Sequence, residues 1–238
     1  MKPLRVPLLN FPDVHIHADE RVVKGHPQYS EAKAGDIVAA DRLAAALGAG
    51  LAKAVGRLLQ DRAAELVSVH ALESAGVNQI PVALEKLVAR HSANLSRNRS
   101  IVQSNSVGHT GASGYRRLAH QAAFHGEVIE RDYFLIDDFV GQGGTLANLI
   151  GFICSHGGRV LGAAVLTGKP YSAKLAPDES SLRALREKHG VAFEGWWKEH
   201  FGFGFDCLTR SEARYLERSP DALAIRAGLA AAGLEDGT

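Results

Sequence analysis

Between residues 133 and 167 the hydrophobic pattern changes period twice. Tyr133, Phe134, Leu135 and Ile136 form a short apolar run, the length of one buried strand. The run ends on two adjacent carboxylates, Asp137 and Asp138. After Phe139 and Val140 come three glycines in four positions, Gly141, Gly143 and Gly144, with Gln142 among them. Thr145 then stands where a helix cap is expected. Leu146, Leu149, Ile150 and Ile153 recur at helical spacing up to Gly157-Gly158, a helix stop. Residues 159–167 (RVLGAAVLT) read as a second buried strand. Strand, loop, helix and strand in that order predict a right-handed crossover in a parallel sheet.

The remaining pattern extends this α/β reading. Residues 36–62 are Ala-rich, with Leu43, Leu47, Leu51, Val55, Leu58 and Leu59 on one face, and predict one helix packed on the sheet. Leu66 to His70 reads as another buried strand. Pro81 suits the first turn of a helix running to about His91. Residues 95–114 are polar and rich in Gly and Ser, which predicts a lid or a solvated linker. A short helix is expected between Arg116 and Phe124. Beyond residue 170 the spacing predicts helices over 178–189, from Ser211 to Arg218, and from Ser219 to about Gly233. The six aromatics between Phe193 and Phe205 serve as core, as a subunit interface such as that of a homodimer, or as a stacking surface for a planar base. Residues 1–35 read as irregular. The expected division is therefore 1–35, a core over 36–170, and a helical, aromatic appendage over 171–238.

Composition narrows the class. The chain has 238 residues, 46% of them hydrophobic, enough for one α/β domain with an appendage. A net charge of +1 gives no basic excess for nucleic acid or an acidic membrane. Cys154 and Cys207 are too few and too far apart for a disulfide framework or a four-cysteine zinc site. Pro7 and Pro12 interrupt the apolar start, a poor signal peptide, and no run of 18 apolar residues exists. A soluble cytoplasmic protein is the expectation. His15 and His17 share a face if the segment is extended, and with His26 they can bind a metal or simply edge a surface strand.

The chemistry of the 137–145 stretch follows from its geometry. Glycines let backbone N–H groups turn toward an anion, and the helix that follows adds its positive end. Two carboxylates beside that anion suit neighbouring hydroxyls or a hydrated Mg²⁺. A sugar diol next to a 5′-phosphate satisfies both halves. No G-x-x-x-x-G-K-[ST] sequence occurs, so a Walker-type site is not expected.

An apolar strand, two acids, two variable residues and a Gly-rich loop ending in Thr resembles the phosphoribosyl-pyrophosphate (PRPP) signature of type I phosphoribosyltransferases. The resemblance implies a Rossmann-like parallel-sheet α/β core with N- and C-terminal additions. It implies that Asp137 and Asp138 hold the ribose hydroxyls and Mg²⁺, directly or through water, that Gly141, Gln142, Gly143, Gly144 and Thr145 hold the 5′-phosphate, and that Phe139 and Val140 bind substrate beside them. Gly141-Gln142 stands where that family usually has two Thr, so two hydroxyl donors are lost and one amide is gained.

Weaker motifs between about residues 64 and 168 resemble the ComF-type branch: Gly76-Val77-Asn78-Gln79, then Arg97 and Arg99, Gln103, Tyr115-Arg116-Arg117-Leu118 and Ala123-Phe124. The zinc-finger cysteines of many such proteins are absent, and His70-Ala71 replaces a usual Pro. The likeness implies that Ala71, Leu72, Glu73 and Ser74 face pyrophosphate, with Arg97, Arg99 or His109 reaching it when the loop closes, and Arg116 or Arg117 as a phosphate ligand. The implied activity is Mg²⁺-dependent transfer of phosphoribose from PRPP to a nucleobase-like nitrogen acceptor. A non-catalytic PRPP or nucleotide sensor, and a nucleotide-cleaving hydrolase or phosphorylase on the same fold, are the alternatives.

Overall fold

A computed structural model describes residues 3–69, 72–73, 76–107 and 113–234. In chain order the first half holds β1 (His15–Ala18), α1 (Glu20–Lys24), α2 (Tyr29–Lys33), α3 (Ile37–Leu47), α4 (Ala49–Leu59), β2 (Ala64–Ser68), β3 (Leu72–Glu73), β4 (Gly76–Val77), α5 (Ile80–Ala89), β5 (Leu95–Arg97) and β6 (Val102–Gln103). The second half holds α6 (Gly114–Ala119), β7 (Phe124–His125), β8 (Asp132–Val140), α7 (Gly144–Ser155), β9 (Arg159–Gly168), α8 (Glu179–His189), α9 (Val191–Phe201), α10 (Arg210–Arg218) and α11 (Ala222–Leu234).

Five strands form one sheet in the order β1-β9-β8-β2-β5, every pairing parallel. Residue alternation on β8 explains the layers. Phe134 and Ile136 face α3, α4 and α5 with Leu43, Leu51, Val55, Leu84 and Val88. Tyr133 and Leu135 face α7 with Leu146, Leu149, Ile150 and Ile153. A sheet covered on both faces accounts for the nearly unbroken apolar runs of β8 and β9. From β2 the chain moves outward to β5, and from β8 it moves outward the other way to β9. The strand order therefore reverses between β2 and β8, and ligands of open parallel sheets bind beyond the strand ends at such a point.

Three expectations change. The segment read as irregular, 1–35, supplies the edge strand β1 and the helices α1 and α2; Ile16 and Ala18 pair with Val165 and Thr167 of β9. The single helix expected over 36–62 is two, broken at Gly48, where an added Cβ would lie 2.7 Å from Leu87 Cδ2 and 2.6 Å from the Ala44 carbonyl. The close approach of α5 requires a residue without a side chain there. The polar 95–114 segment is not simply a lid: Leu95–Arg97 extends the main sheet beside β2, and Val102–Gln103 pairs with Phe124–His125. Residues 108–112, including His109 and Thr110, lie outside the described residues.

Residues 171–234 build a third core. Trp197, Phe193, Phe201, Phe203 and Phe205 are buried among Leu182, Leu185, Leu216 and Ile225, with Leu118 of α6. Packing, not base stacking, is what these five aromatics do. Trp196 remains half-buried, with Phe193 stacked at 5.6 Å and the Arg226 guanidinium 4.6 Å from its ring. Thr209 rather than Ser211 caps α10, in a reciprocal box with Glu212. The box is locked to the sheet layer by Arg5, which donates to both Glu212 oxygens at 2.6 and 2.9 Å and to Asn148 of α7 at 2.6 Å. Both members of the ion pair are 3% exposed or less.

Removing the cation of such a pair strands a buried carboxylate. Arg5→Met should therefore cost about 3–5 kcal/mol in urea unfolding. Adding Glu212→Gln should lose less than the sum of the single effects; strict additivity would mean that the two residues do not act as a pair.

Candidate functional site

The site begins where β8 runs out. Asp137 and Asp138 lie within the strand, which continues to Val140, rather than after its end. Both are buried, at 7% and 5% exposure. Asp137 Oδ1 accepts the backbone N–H of Asp138 at 2.8 Å. Asp138 Oδ2 lies 3.0 Å from Lys33 Nζ of α2. Burial, then the neighbouring Asp138 charge, pushes the Asp137 carboxyl well above the usual carboxylate range, against the opposing pull of the Asp138 N–H and Lys33.

Gly141, Gln142 and Gly143 make the turn, and Gly143, not Thr145, caps α7. Its φ of +81° is one that residues with a Cβ avoid. Thr145 sits in the first helical turn. Two peptide planes of this turn are held from the C-terminal side. Thr209 Oγ1 donates to the Gln142 carbonyl at 2.6 Å, and Ser172 Oγ donates to the Gly141 carbonyl. A trans peptide directs its N–H opposite to its C=O. Those two bonds therefore aim the N–H groups of Gln142 and Gly143 away from the C-terminal elements. Among the described residues, no protein acceptor takes the N–H groups from Gln142 to Leu146. They form a cluster of donors at the positive end of α7, the arrangement that binds oxyanions.

Arg117 of α6 packs on the turn. A Cβ on Gly141 would lie 2.7 Å from Arg117 Nη1, so the guanidinium covers the first glycine, and burial holds its pKa below the ordinary value. Lys24 Nζ lies over the Phe139 ring at 5.0 Å. Lys169, directly after β9, pairs with Glu20 of α1 at 2.6 Å.

The structure thus gathers Asp137, Asp138, Phe139, Gly141, Gln142, Gly143, Gly144, Thr145 and Arg117; Val140 is buried core. It does not bring Arg97 there. Arg97 is bound through Nε and Nη2 to buried Glu85 of α5, at 2.9 and 2.8 Å. Arg99 is exposed. Ala71 and Ser74 lie outside the described residues. Leu72 and Glu73 are seen only as backbone, in the hairpin β3–β4. Sequence reasoning missed Lys33, Thr209, Ser172 and Arg5, which lie between 31 and 139 positions from the loop residues or acids they touch. No local pattern marks them. Of the two readings of His15, His17 and His26, the metal site does not assemble: His15 and His17 are ring neighbours at 5.9 Å, but no group of three metal-ligating side chains occurs among the described residues.

The acids also fit a resident Mg²⁺ poorly. That ion takes an octahedron of oxygens at about 2.1 Å. Here one Asp138 oxygen faces an ammonium, and one Asp137 oxygen is already used by the backbone.

Two chains resemble this one. Protein TraN of Escherichia coli is 39% identical over 230 residues, 96% of this chain and 51% of that protein. An uncharacterized protein of Haemophilus influenzae is 39% identical over 148 residues, 60% of this chain and 32% of that one. The chain thus spans about half the length of the first relative and a third of the second. No family model matches. No helix among the described residues is long and apolar enough to cross a membrane.

Two substitutions test this geometry. A Cβ on Gly143 would lie 2.5 Å from Leu175 Cδ2. Gly143→Ala should cost about 2 kcal/mol or more, from the left-handed backbone and the clash together. In a Leu175→Ala background, which removes the clash, Gly143→Ala should still cost the backbone strain; no further loss in urea unfolding relative to Leu175→Ala alone would mean that the backbone angle carries no strain. Separately, burial holds the Glu85 carboxyl above its ordinary range in spite of Arg97. The native state then favours the protonated form. Its stabilising contribution is complete below the unfolded value of about 4.3 and is lost as pH rises through the higher native value. Glu85→Gln should flatten that decline; parallel pH profiles of urea midpoint in the two proteins would contradict it.

Proposed function

We propose that this chain binds a 5-phosphorylated ribose, with PRPP as the fullest ligand, and transfers its phosphoribosyl group to a nitrogen acceptor, in the manner of type I phosphoribosyltransferases. One observation carries the reading. Two buried acids stand at the strand-order reversal of a parallel sheet, immediately before a turn whose unpartnered N–H groups face away from its clasped carbonyls. The acids suit a vicinal diol. The N–H cluster, the positive end of α7 and Arg117 suit the 5′-phosphate of the same sugar.

In the reaction, the acceptor nitrogen forms a bond to C1 as the C1–O bond to pyrophosphate breaks, and pyrophosphate departs with the electron pair. The transition state has oxocarbenium character. This chain contributes positioning and charge: Asp137 and Asp138 at the hydroxyls, residues 141–145 at the 5′-phosphate. Mg²⁺ belongs with the substrate, because pyrophosphate chelates divalent ions before binding. The acceptor expected is a nucleobase-like ring.

A second reading, binding without turnover, is favoured by Gln142, whose Oε1 is buried without a hydrogen-bond partner among the described residues. Gly141-Gln142 also lacks the two hydroxyl donors usual in the family that the loop resembles. A regulator that reports PRPP to a partner needs only the pocket.

Calorimetry with PRPP and ribose 5-phosphate separates these readings from a bare structural turn. Wild-type protein should bind both. Asp137→Asn with Asp138→Asn should weaken binding at least 100-fold while the melting temperature holds; equal affinity in the variant would remove the assignment. Release of pyrophosphate with one of a panel of nucleobases supports transfer, and tight binding without release supports the sensor.

A further inference from the structure

The ammonium of Lys33 lies 3.0 Å from Asp138 Oδ2, and the two side chains are 21% and 7% exposed. It is not a wandering surface lysine. Helix α2 is fixed on both sides of it: the buried Ala32 accepts Gln79 N–H at 3.1 Å through its carbonyl, and Gly76 leaves room for the carbonyl of Ala34, which a Cβ there would strike. The α2 backbone is therefore held against the start of α5, beside the acids. Among the described residues, Glu20 of α1 is engaged by Lys24 and Lys169. Two acids and one fixed ammonium leave little negative charge to draw a divalent ion out of water, and a second cation at Asp138 would meet the first.

We propose that Lys33 is the built-in counter-cation of the acidic pair. It holds the position that a divalent metal would otherwise take, and with Asp138 it offers the sugar's vicinal hydroxyls one donor and one acceptor side by side. The second half of this statement rests on the phosphoribose reading; the first does not. The consequence is a site that grips the phosphorylated pentose itself without metal, and meets metal only on a ligand that carries it.

The test titrates Mn²⁺, followed by electron paramagnetic resonance, into the sugar-free protein. Wild type should show no bound ion at the pair. Lys33→Met should gain a site, and Lys33→Met with Asp138→Asn should lose it again. A wild-type site that Asp138→Asn abolishes, or no gain in Lys33→Met, overturns the proposal. Thermal melting checks each fold, and Lys33→Gln replaces Lys33→Met if the latter does not fold. A second arm measures ribose 5-phosphate, which lacks pyrophosphate, by calorimetry in EDTA. Wild-type affinity should be unchanged by the chelator, and Lys33→Met should bind at least tenfold more weakly. Affinity that vanishes in EDTA overturns the inference. Failure of the wild-type protein to bind any phosphorylated pentose, with the Mn²⁺ pattern as expected, goes against the functional reading alone.

Discussion

The orientation of two peptide planes, Gly141–Gln142 and Gln142–Gly143, is the constraint on which the site depends. A glycine turn left to itself samples many conformations, and its donors point in many directions. Here Ser172 and Thr209 hold the two carbonyls. Thr209 is in turn held by Glu212 through the α10 cap, and Glu212 by Arg5, which also binds Asn148 one turn into α7. The chain of contacts closes on the helix it orients. Its members are largely desolvated, so each hydrogen bond is expensive to leave unmade. The C-terminal helices are thereby structural partners of the turn and do more than decorate the sheet.

The glycines consequently serve two neighbours at once. A Cβ on Gly143 would meet Leu175, one on Gly144 would come within 2.6 Å of Glu212 Oε1, and one on Gly141 would meet Arg117. Close packing against the C-terminal elements and α6 accounts for their presence as directly as an approaching anion does. Only the outward N–H groups, together with the acids before them, separate a ligand site from a tightly packed corner. Double substitutions on the acids are therefore more discriminating than any substitution in the turn, whose folding consequences are large in themselves.

What the chain discloses about itself depends on sequence distance. The β8–turn–α7–β9 unit is legible because apolar periods of two and of 3.6, an acidic pair and glycines are all local signals within 37 residues. The pairing of β1 with β9 is not, because four residues with half-buried faces carry almost no pattern and their partner lies 149 positions away. Gly48 breaks a continuous apolar stripe for the sake of Leu87 on another helix, which the stripe itself does not record. Arg97 illustrates the opposite error. Its charge and position suggested phosphate, but Glu85, twelve residues earlier on α5, already holds it through two hydrogen bonds. Lys33 lies in the segment that the sequence reads as irregular, and nothing near it in sequence predicts a carboxylate 105 positions on.

Lys33 also changes the electrostatic logic of the acids. Two adjacent buried carboxylates repel, and burial favours protonation of one, as the raised Asp137 shows. A metal ion is one way to stabilise such a pair in its charged form; a fixed ammonium is another. The metal can leave with the ligand, whereas a lysine tethered to α2 cannot. A pair stabilised by metal is assembled by its ligand, and a pair stabilised by Lys33 is formed before the ligand arrives. The Gly141-Gln142 departure is compatible with the second arrangement. On the proposed phosphoribose reading, where hydroxyl donors from two threonines are missing, affinity comes from groups already in place: the clasped N–H cluster, Arg117 and the Lys33–Asp138 pair.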